Sequence, residues 1–428
     1  MKTKFVVIDP GLNRLGGHNY TLAVTFSAAA HAMGHHVVWL CHTKFPTELA
    51  PRYVQAKGVF PLSYYKKSNI RWNLVRIYDR LGRERPSMKP WGRRVYPFVK
   101  EMAAALKDLG MGPADHVFIT TAEYLQYAAL LELLSAESHE ELPFFHIRTS
   151  YAESAALNLR FGARLPALFR RFRDLGLVGR RVFFYGETPE LAAHFGAWNL
   201  VPFEVMGNPV PQAFLDAPTR AGGTDKTLTI VCPGQARVEK GYLRLPGIVA
   251  ALWARKDVSR PVRFVLHSNF RNPAKGDRPR RKDRDRHAAR DALKAFPEGL
   301  VQLVERPLSN DEYYASIADA DIVLLPYDAD IYRVRPSMIA SEAALFGKPV
   351  AVTAGTTLAQ FVAPGTGETA SSDTEFANGL ARIINDYDTY RAKAEARAAT
   401  MRQDLDPRVL VRRMVARATP PRGRACIG

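Results

Sequence analysis

At 428 residues, 47% of them hydrophobic and 24% charged, the chain is long enough for two domains with full cores and has the composition of a soluble globular protein. Its 60 Lys and Arg against 42 Asp and Glu leave a net charge of +18, a field that favours anionic partners: nucleic acid, acidic lipid headgroups or a phosphorylated substrate. Three scattered cysteines, Cys41, Cys232 and Cys426, have no ligand spacing and argue against a disulfide framework or a zinc site, as in a reduced intracellular protein.

Strands and helices alternate along the chain. Lys4 to Ile8 reads as a continuous apolar strand, too short for a signal peptide and ended by Asp9-Pro10-Gly11. A Gly-rich loop follows, then an apolar helix from about Tyr20 to Met33 and a strand at Val37 to Leu40. A strand, loop, helix and strand of this length predict a βαβ unit and so a parallel sheet. Further strands are predicted at His116 to Thr120, Pro143 to Arg148 and Val182 to Tyr185. The apolar run Tyr127 to Ala136 is interrupted by Glu132 and falls short of the roughly 20 residues of a membrane span. Thr188-Pro189-Glu190 has the hydroxyl cap, early proline and early negative charge of a helix start.

The pattern breaks at Gly207-Asn208-Pro209-Val210-Pro211 and restarts after Ala221-Gly222-Gly223, which predicts a linker over 207–226. Beyond it come strands at Leu228 to Cys232, Val262 to His267, Leu300 to Val304, Ile322 to Leu325 and Pro349 to Thr353. Helices are predicted near Leu243 to Ala254, Asn310 to Ala318 and Ser337 to Phe346. The expectation is an α/β protein of two doubly wound, Rossmann-like parallel-sheet domains facing across a cleft. The first spans 1–206 and the second 227–400, with a C-terminal helix and a disordered basic tail over 401–428.

Two loops of the second domain carry the chemistry. Pro233-Gly234-Gln235-Ala236-Arg237-Val238-Glu239-Lys240-Gly241 leaves the carboxyl end of that domain's first strand, the edge at which open parallel sheets bind ligands. Arg237, by its fork, and Lys240, as a point charge, can clamp a diphosphate there; the alternative is a solvated turn with two surface cations. The second loop, Pro326 to Ser337, leads into a helix whose start near Ser337 offers free amides to a phosphate. Glu342 lies on the second turn of that helix, as an acceptor for ribose hydroxyls or as an exposed helix residue.

In the first domain, Gly16-Gly17-His18-Asn19 follows the first strand, where paired glycines let backbone approach a ligand closely or simply serve a tight turn. His146 and Arg148 fall two residues apart near the end of the strand Pro143 to Arg148, and so on one face. His146 reads either as a site residue or as a core histidine.

Glu342-Ala343-Ala344-Leu345-Phe346-Gly347-Lys348-Pro349-Val350 resembles the E-A-x-x-x-G-x-P-V run of the retaining GT-B glycosyltransferases, the large family 4 group in particular. The loop Pro233 to Gly241 and the run Gly207-Asn208-Pro209-Val210 are similar to that family's donor loop and pre-hinge segment. The resemblance covers most of the second domain and touches the first by pattern more than by residues. It implies that Arg237 and Lys240 hold the diphosphate of a nucleotide-sugar donor and that Glu342 holds its ribose. It places Gly16, Gly17 and the strand end of His146 and Arg148 near the reaction centre. Two departures stand out. The family's acidic residue eight positions before the helix Glu is Val334 here, and its Arg after the loop glycine is Gln235.

Between Lys66 and Lys100 cations are dense, among them Arg71, Arg76, Arg93 and Arg94, with Tyr64, Tyr65, Trp72, Tyr78, Trp91 and Tyr96 interleaved or adjacent. The stretch suits an anionic membrane surface, single-stranded nucleic acid or a merely solvated face. Arg271 to Arg290, with Asp277, Asp283 and Asp285 mixed in, reads as a solvated loop. Together these readings predict a cytoplasmic, metal-independent, hexosyltransferase-like enzyme, peripheral on the inner membrane face. It would need no cofactor and would transfer sugar, with retention, from a nucleotide-sugar to a lipid-linked, polysaccharide or other glycan acceptor. The alternatives are a catalytically degenerate nucleotide-sugar- or glycan-binding pseudoenzyme and, ranked last for want of any recognised module, a nucleic-acid-binding protein.

Overall fold

The computed structural model describes residues 2–62, 89–136, 141–150, 165–210, 227–269 and 281–417, and the chain divides into two units: Met1–Pro211 with Asp406–Gly428, and Gln212–Leu405. In the first unit β1 (Lys4–Asp9), β2 (His36–His42), β3 (Val54–Phe60), β4 (His116–Ile119), β5 (Phe144–Thr149), β6 (Val182–Gly186) and β7 (Phe203–Val205) form one parallel sheet in the order β3-β2-β1-β4-β5-β6-β7. The helices are α1 (Gly17–Ala32), α2 (Lys89–Asp108), α3 (Tyr124–Ala136), α4 (Leu165–Asp174) and α5 (Pro189–Gly196). Phe5 and Val7 on β1, Val37 and Trp39 on β2, and Leu22 and Phe26 on α1 pack in one cluster, the strand residues alternating as a two-residue period requires. The indole Nε1 of Trp39 donates to Ser27 Oγ at 2.7 Å, so the largest ring of that cluster leaves no polar atom unpaired.

The second unit holds β8 (Leu228–Cys232), β9 (Val262–His267), β10 (Val301–Val304), β11 (Ile322–Leu325), β12 (Val350–Thr353) and β13 (Gly367–Ala370), again all parallel, in the order β10-β9-β8-β11-β12-β13. Its helices are α6 (Leu245–Trp253), α7 (Arg281–Lys294), α8 (Asn310–Ala318), α9 (Ala329–Tyr332), α10 (Met338–Leu345), α11 (Asp373–Asn385) and α12 (Tyr387–Asp404). Ile230, Cys232, Phe264 and Leu266 pack on one face with Ile248, Leu252, Phe376 and Leu380. Val231, Val323, Leu325 and Val352 pack on the other with Ile317, Ile339 and Ala343. Burial on both faces explains why these strands read as unbroken apolar runs. A final helix, α13 (Pro407–Arg417), belongs to the first unit and places Leu410, Val411 and Met414 in the cluster of Phe5 and Trp39.

Each sheet has one point where strand order reverses, between β1 and β4 and between β8 and β11. Connections leave such a point in opposite directions, which opens a crevice at the carboxyl ends of the strands. The loops 233–241 and 326–337 flank the second of these points.

Three strands escape the sequence reading, β3, β7 and β13, and all three are edge strands. An edge has one partner and one solvated flank, so Gln55, Lys57, Glu204 and Glu368 replace the continuous apolar run. The segment read as a solvated loop is corrected over 281–290, which open α7 with Asp283 in its first turn. The linker residues 211–226, the tail from residue 418 and the basic stretch over 63–88 lie outside the described residues, as do the side chains of residues 89–96. Among the described residues no helix is long and apolar enough to cross a membrane.

Candidate functional site

In the second unit the loop after β8 is locked to its surroundings by two glycines. Gly234 has a φ of 95°, and a Cβ there would lie 2.7 Å from Ile339 Cδ1 and 3.2 Å from Lys240 Nζ. Gly241 has a φ of 74°, and its Cβ would fall 1.8 Å from the Pro326 carbonyl oxygen. Only glycine meets both demands at once. The Asp328 amide also donates to the Glu239 carbonyl at 3.1 Å, so the two loops at the switch point are joined backbone to backbone.

This packing half-buries Lys240. Burial, with the nearby Arg237 guanidinium, pushes its ammonium down to about 8, against the opposing field of Glu342. Its Nζ stands 5.6 Å from the Tyr327 ring centroid. Arg335 is a third cation in the same field and stacks its guanidinium 5.3 Å from the Tyr332 centroid. Arg237 is 45% exposed at its side chain, and its Nε and Nη2 both donate to Gln235 Oε1, at 3.1 and 2.7 Å. The Gln235 that stands where the resembling family has Arg therefore orients the Arg two positions on.

Ser337 caps α10, its Oγ accepting from the Ala340 amide at 3.4 Å. Glu342, on the same helix, is only 7% exposed, so it is not a solvated helix residue. Burial raises its carboxyl above the ordinary range, while a hydrogen bond from Tyr313 and the charge of Lys240 oppose the rise. The Tyr313 hydroxyl donates to Glu342 Oε2 at 2.6 Å. His267, at the end of β9, accepts the Gly234 amide on Nδ1 at 2.9 Å, which leaves its proton on Nε2. Burial and Lys240 hold that imidazole neutral, down to about 4. The structure thus brings Arg237, Lys240, Ser337 and Glu342 to one edge of one sheet. It adds Tyr313, His267 and Arg335, which no local pattern singles out.

In the first unit Asp9 ends β1 fully buried. It accepts from the Gly11 amide at 2.7 Å, from Thr120 Oγ1 at 2.8 Å and from Asn19 Nδ2 at 2.9 and 3.0 Å. These bonds fix the loop that leads to Gly16 and Gly17, whose φ values are 74° and 77°. Nothing lies within 4 Å of a Cβ added at Gly17, so its requirement is conformational and not steric. His18 follows, its imidazole held down by burial and by Arg148 against the pull of Glu187.

Arg148 ends β5 wholly buried. Nη2 meets Asn208 Oδ1 at 2.6 Å and Glu187 Oε2 at 3.1 Å, and Nε donates to the Met206 carbonyl at 3.2 Å. Nη1 serves Ser150 Oγ at 3.1 Å and the Thr120 carbonyl at 3.4 Å. Five acceptors from four segments surround this guanidinium, which makes it the clamp of the strand ends. His146 lies deeper, with no exposed surface, between His116 Nδ1 at 3.2 Å and the Tyr185 hydroxyl at 3.1 Å. Its ring stacks on Phe183 with centroids 5.3 Å apart, and burial keeps it neutral far below the usual histidine range. Of the two expectations for His146, the structure places the residue as a core histidine.

No protein-family model matches the sequence, and no curated protein does. Solved structures match in fold over nearly the whole chain. The sucrose-phosphate synthase of Thermosynechococcus elongatus is 14% identical, with a TM-score of 0.62 over 96% of this chain and 97% of that one. An α,α-trehalose 6-phosphate synthase from Burkholderia multivorans is 12% identical, with a TM-score of 0.64 over 98% and 96%. WaaG, a glycosyltransferase involved in lipopolysaccharide biosynthesis, is 15% identical, with a TM-score of 0.57 over 97% and 99%. Two all-parallel, doubly wound sheets in one chain, shared with these proteins along their whole length, are the GT-B fold.

Proposed function

We propose that the chain is a glycosyltransferase that binds a nucleotide-sugar at the β8–β11 switch point of its second unit and passes the sugar to a lipid-linked, polysaccharide or other glycan acceptor. The observation that carries this reading is a half-buried ammonium, Lys240, and a buried carboxylate, Glu342, each within the other's electrostatic field at that edge. Buried charges of both signs are costly in a fold, and their use lies in a ligand that supplies the complementary groups. Lys240 and the Gln235-held Arg237 take the diphosphate oxygens, the start of α10 adds its amides, and Glu342 accepts ribose hydroxyls. The fold neighbours, by name a glycosyltransferase and two sugar-phosphate synthases, support sugar transfer as the class of reaction.

In the reaction the bond between the anomeric carbon and the diphosphate oxygen breaks as an acceptor hydroxyl attacks from the same face and passes its proton to the departing diphosphate oxygen, which retains configuration. Lys240 and Arg237, fixed before the reaction, carry the charge that grows on the leaving oxygen, a task that needs no metal. Gly16 and Gly17, in the first unit, leave the backbone open to close approach by a ligand. The basic stretch between Lys66 and Lys100 supports a cytoplasmic protein peripheral on an anionic membrane.

A second reading, a nucleotide-sugar-binding pseudoenzyme, is favoured by Val334 in place of a carboxylate and by Arg148, whose donors face acceptors of the protein itself. Release of nucleoside diphosphate from UDP-, GDP-, ADP- and dTDP-sugars by the pure protein separates the two. Release that disappears in Lys240→Ala supports the enzyme. Binding without release, even with added acceptor glycans, supports the pseudoenzyme, and no binding to any of the four overturns both.

A further inference from the structure

A buried carboxylate can be used by a ligand only if it stays ionised and keeps one oxygen free. At Glu342 a single contact favours both conditions. Among the described residues Tyr313 is its one hydrogen-bond partner, at Oε2, 2.6 Å away and 29 residues earlier in the chain. Tyr313 has little freedom of its own. It follows directly on the capping box that starts α8, in which Ser309 Oγ accepts the Glu312 amide at 3.2 Å and Glu312 Oε2 accepts the Ser309 amide at 2.8 Å. The Arg306 guanidinium grips the same Glu312 at 2.6 and 3.1 Å, which fixes the first turn. The other end of the contact stands on α10, anchored by its Ser337 cap. One hydrogen bond therefore ties the starts of two helices that leave neighbouring regions of the sheet's carboxyl edge.

We propose that Tyr313 is the positioning residue of the donor site: it occupies Oε2 of Glu342, holds the carboxylate in one rotamer and reserves Oε1 for a hydroxyl of the nucleotide ribose. This rests on the reading of Glu342 as a donor-binding residue. Chemistry favours tyrosine in the role. Its hydroxyl, pushed up by burial and by the carboxylate itself, stays a donor across the physiological range and cannot take the proton from its partner. A bond to the ionised form also opposes the rise that burial imposes on the Glu342 carboxyl. A lysine here would add charge next to Lys240, and a serine would not span the gap between the helices.

The test is a double-mutant cycle read by calorimetric titration of UDP, GDP and ADP across pH 5 to 8, taking whichever binds the wild type most tightly. Tyr313→Phe removes one hydroxyl and keeps the ring, and its melting temperature is recorded beside each titration. The expected result at pH 7.5 is a loss of about fivefold to tenfold in affinity for Tyr313→Phe and a larger loss for Glu342→Gln. The double variant should bind no more weakly than Glu342→Gln alone. The acid side of the profile supplies a readout that simple loosening does not move. Wild-type affinity should fall as Glu342 protonates, Tyr313→Phe should show that fall at a higher pH, and Glu342→Gln should show none. Equal effects of Tyr313→Phe with and without Glu342→Gln, or an unmoved acid limb, overturn the positioning role while leaving the donor site standing. Unchanged affinity in Glu342→Gln overturns the donor-site reading and the positioning role with it.

Discussion

Arg148 Nη2 lies 3.1 Å from Glu187 Oε2, and both side chains are almost completely withdrawn from solvent, at 0% and 3% exposure. Asn208 bridges the two, accepting from the arginine on Oδ1 and donating to the glutamate from Nδ2. The strand end that the sequence offers as a reaction centre is a closed ion-pair network. Removing one partner strands a buried charge, which typically costs about 3–5 kcal/mol. Glu187→Ala should therefore melt the protein well below the wild type, and Arg148→Met with Glu187→Leu should recover most of the loss. A Glu187→Ala protein of native stability and no activity would instead make the pair catalytic.

Lys240 sets stability against function. Its folded pKa, about 8, lies below the ordinary lysine value, so holding it charged costs stability at every pH below about 8. That cost shrinks as pH rises from 8 toward 10. Ligand-free Lys240→Met should be more stable than the wild type at pH 7 by on the order of 2 kcal/mol and should lack the wild type's gain in alkali. Diphosphate binding has the opposite sign. It needs the proton, so wild-type affinity for a nucleoside diphosphate should fall as pH passes about 8, and Lys240→Met should bind weakly at all pH. Calorimetry on the free proteins and titrations from pH 6.5 to 9.5 check both halves.

Gly241 and Gly17 share a left-handed φ but not a surrounding. A Cβ at 241 meets the Pro326 carbonyl oxygen, whereas a Cβ at 17 meets open space. Gly17→Ala should cost about 1 kcal/mol, the price of the backbone conformation alone. Gly241→Ala must also push apart the two loops of the switch point, so it should lose several times that and with it nucleotide binding. Comparable melting temperatures for the two variants would show that the loops are not in register as described.

The last helix is part of the first core. Leu410, Val411 and Met414 are each at most 2% exposed and pack with Phe5 and Trp39. Leu410→Ala and Met414→Ala should each destabilise by about 2–5 kcal/mol, as for other large-to-small core changes. Urea unfolding followed by Trp39 fluorescence, in a protein whose other four tryptophans are replaced by Phe, reads that unit.

The sequence announces what lies at the centre of each sheet and, β10 apart, stays silent about the rim. β8, β9 and β11 are legible to the residue because both of their faces are buried, while β3, β7 and β13 are polar edges. The same logic governs the site. Arg237, Lys240 and Glu342 stand in loops and a helix start whose spacing can be read along the chain. Tyr313 and His267 join them from other strands and helices, and no local pattern says that residue 313 will meet residue 342. The pairing of Gln235 with Arg237 is likewise invisible until the loop is folded, because two neighbours in a turn can point anywhere. His146 and Arg148 share a face by their spacing, as expected. Spacing cannot tell that this face is sealed.

The measurement that bears most directly on the donor site is a thermal-shift series with UDP-, GDP-, ADP- and dTDP-sugars on the wild type, Lys240→Ala, Glu342→Gln and Lys256→Ala. A ligand that binds only the folded state raises its melting temperature. At least one nucleotide-sugar should raise the wild type and Lys256→Ala alike, since Lys256 is an exposed lysine away from both loops. That rise should vanish in Lys240→Ala and shrink in Glu342→Gln. If no nucleotide-sugar shifts the wild type, the β8–β11 edge is not a donor site; if all three variants lose the shift equally, only the overall positive field attracts the ligand.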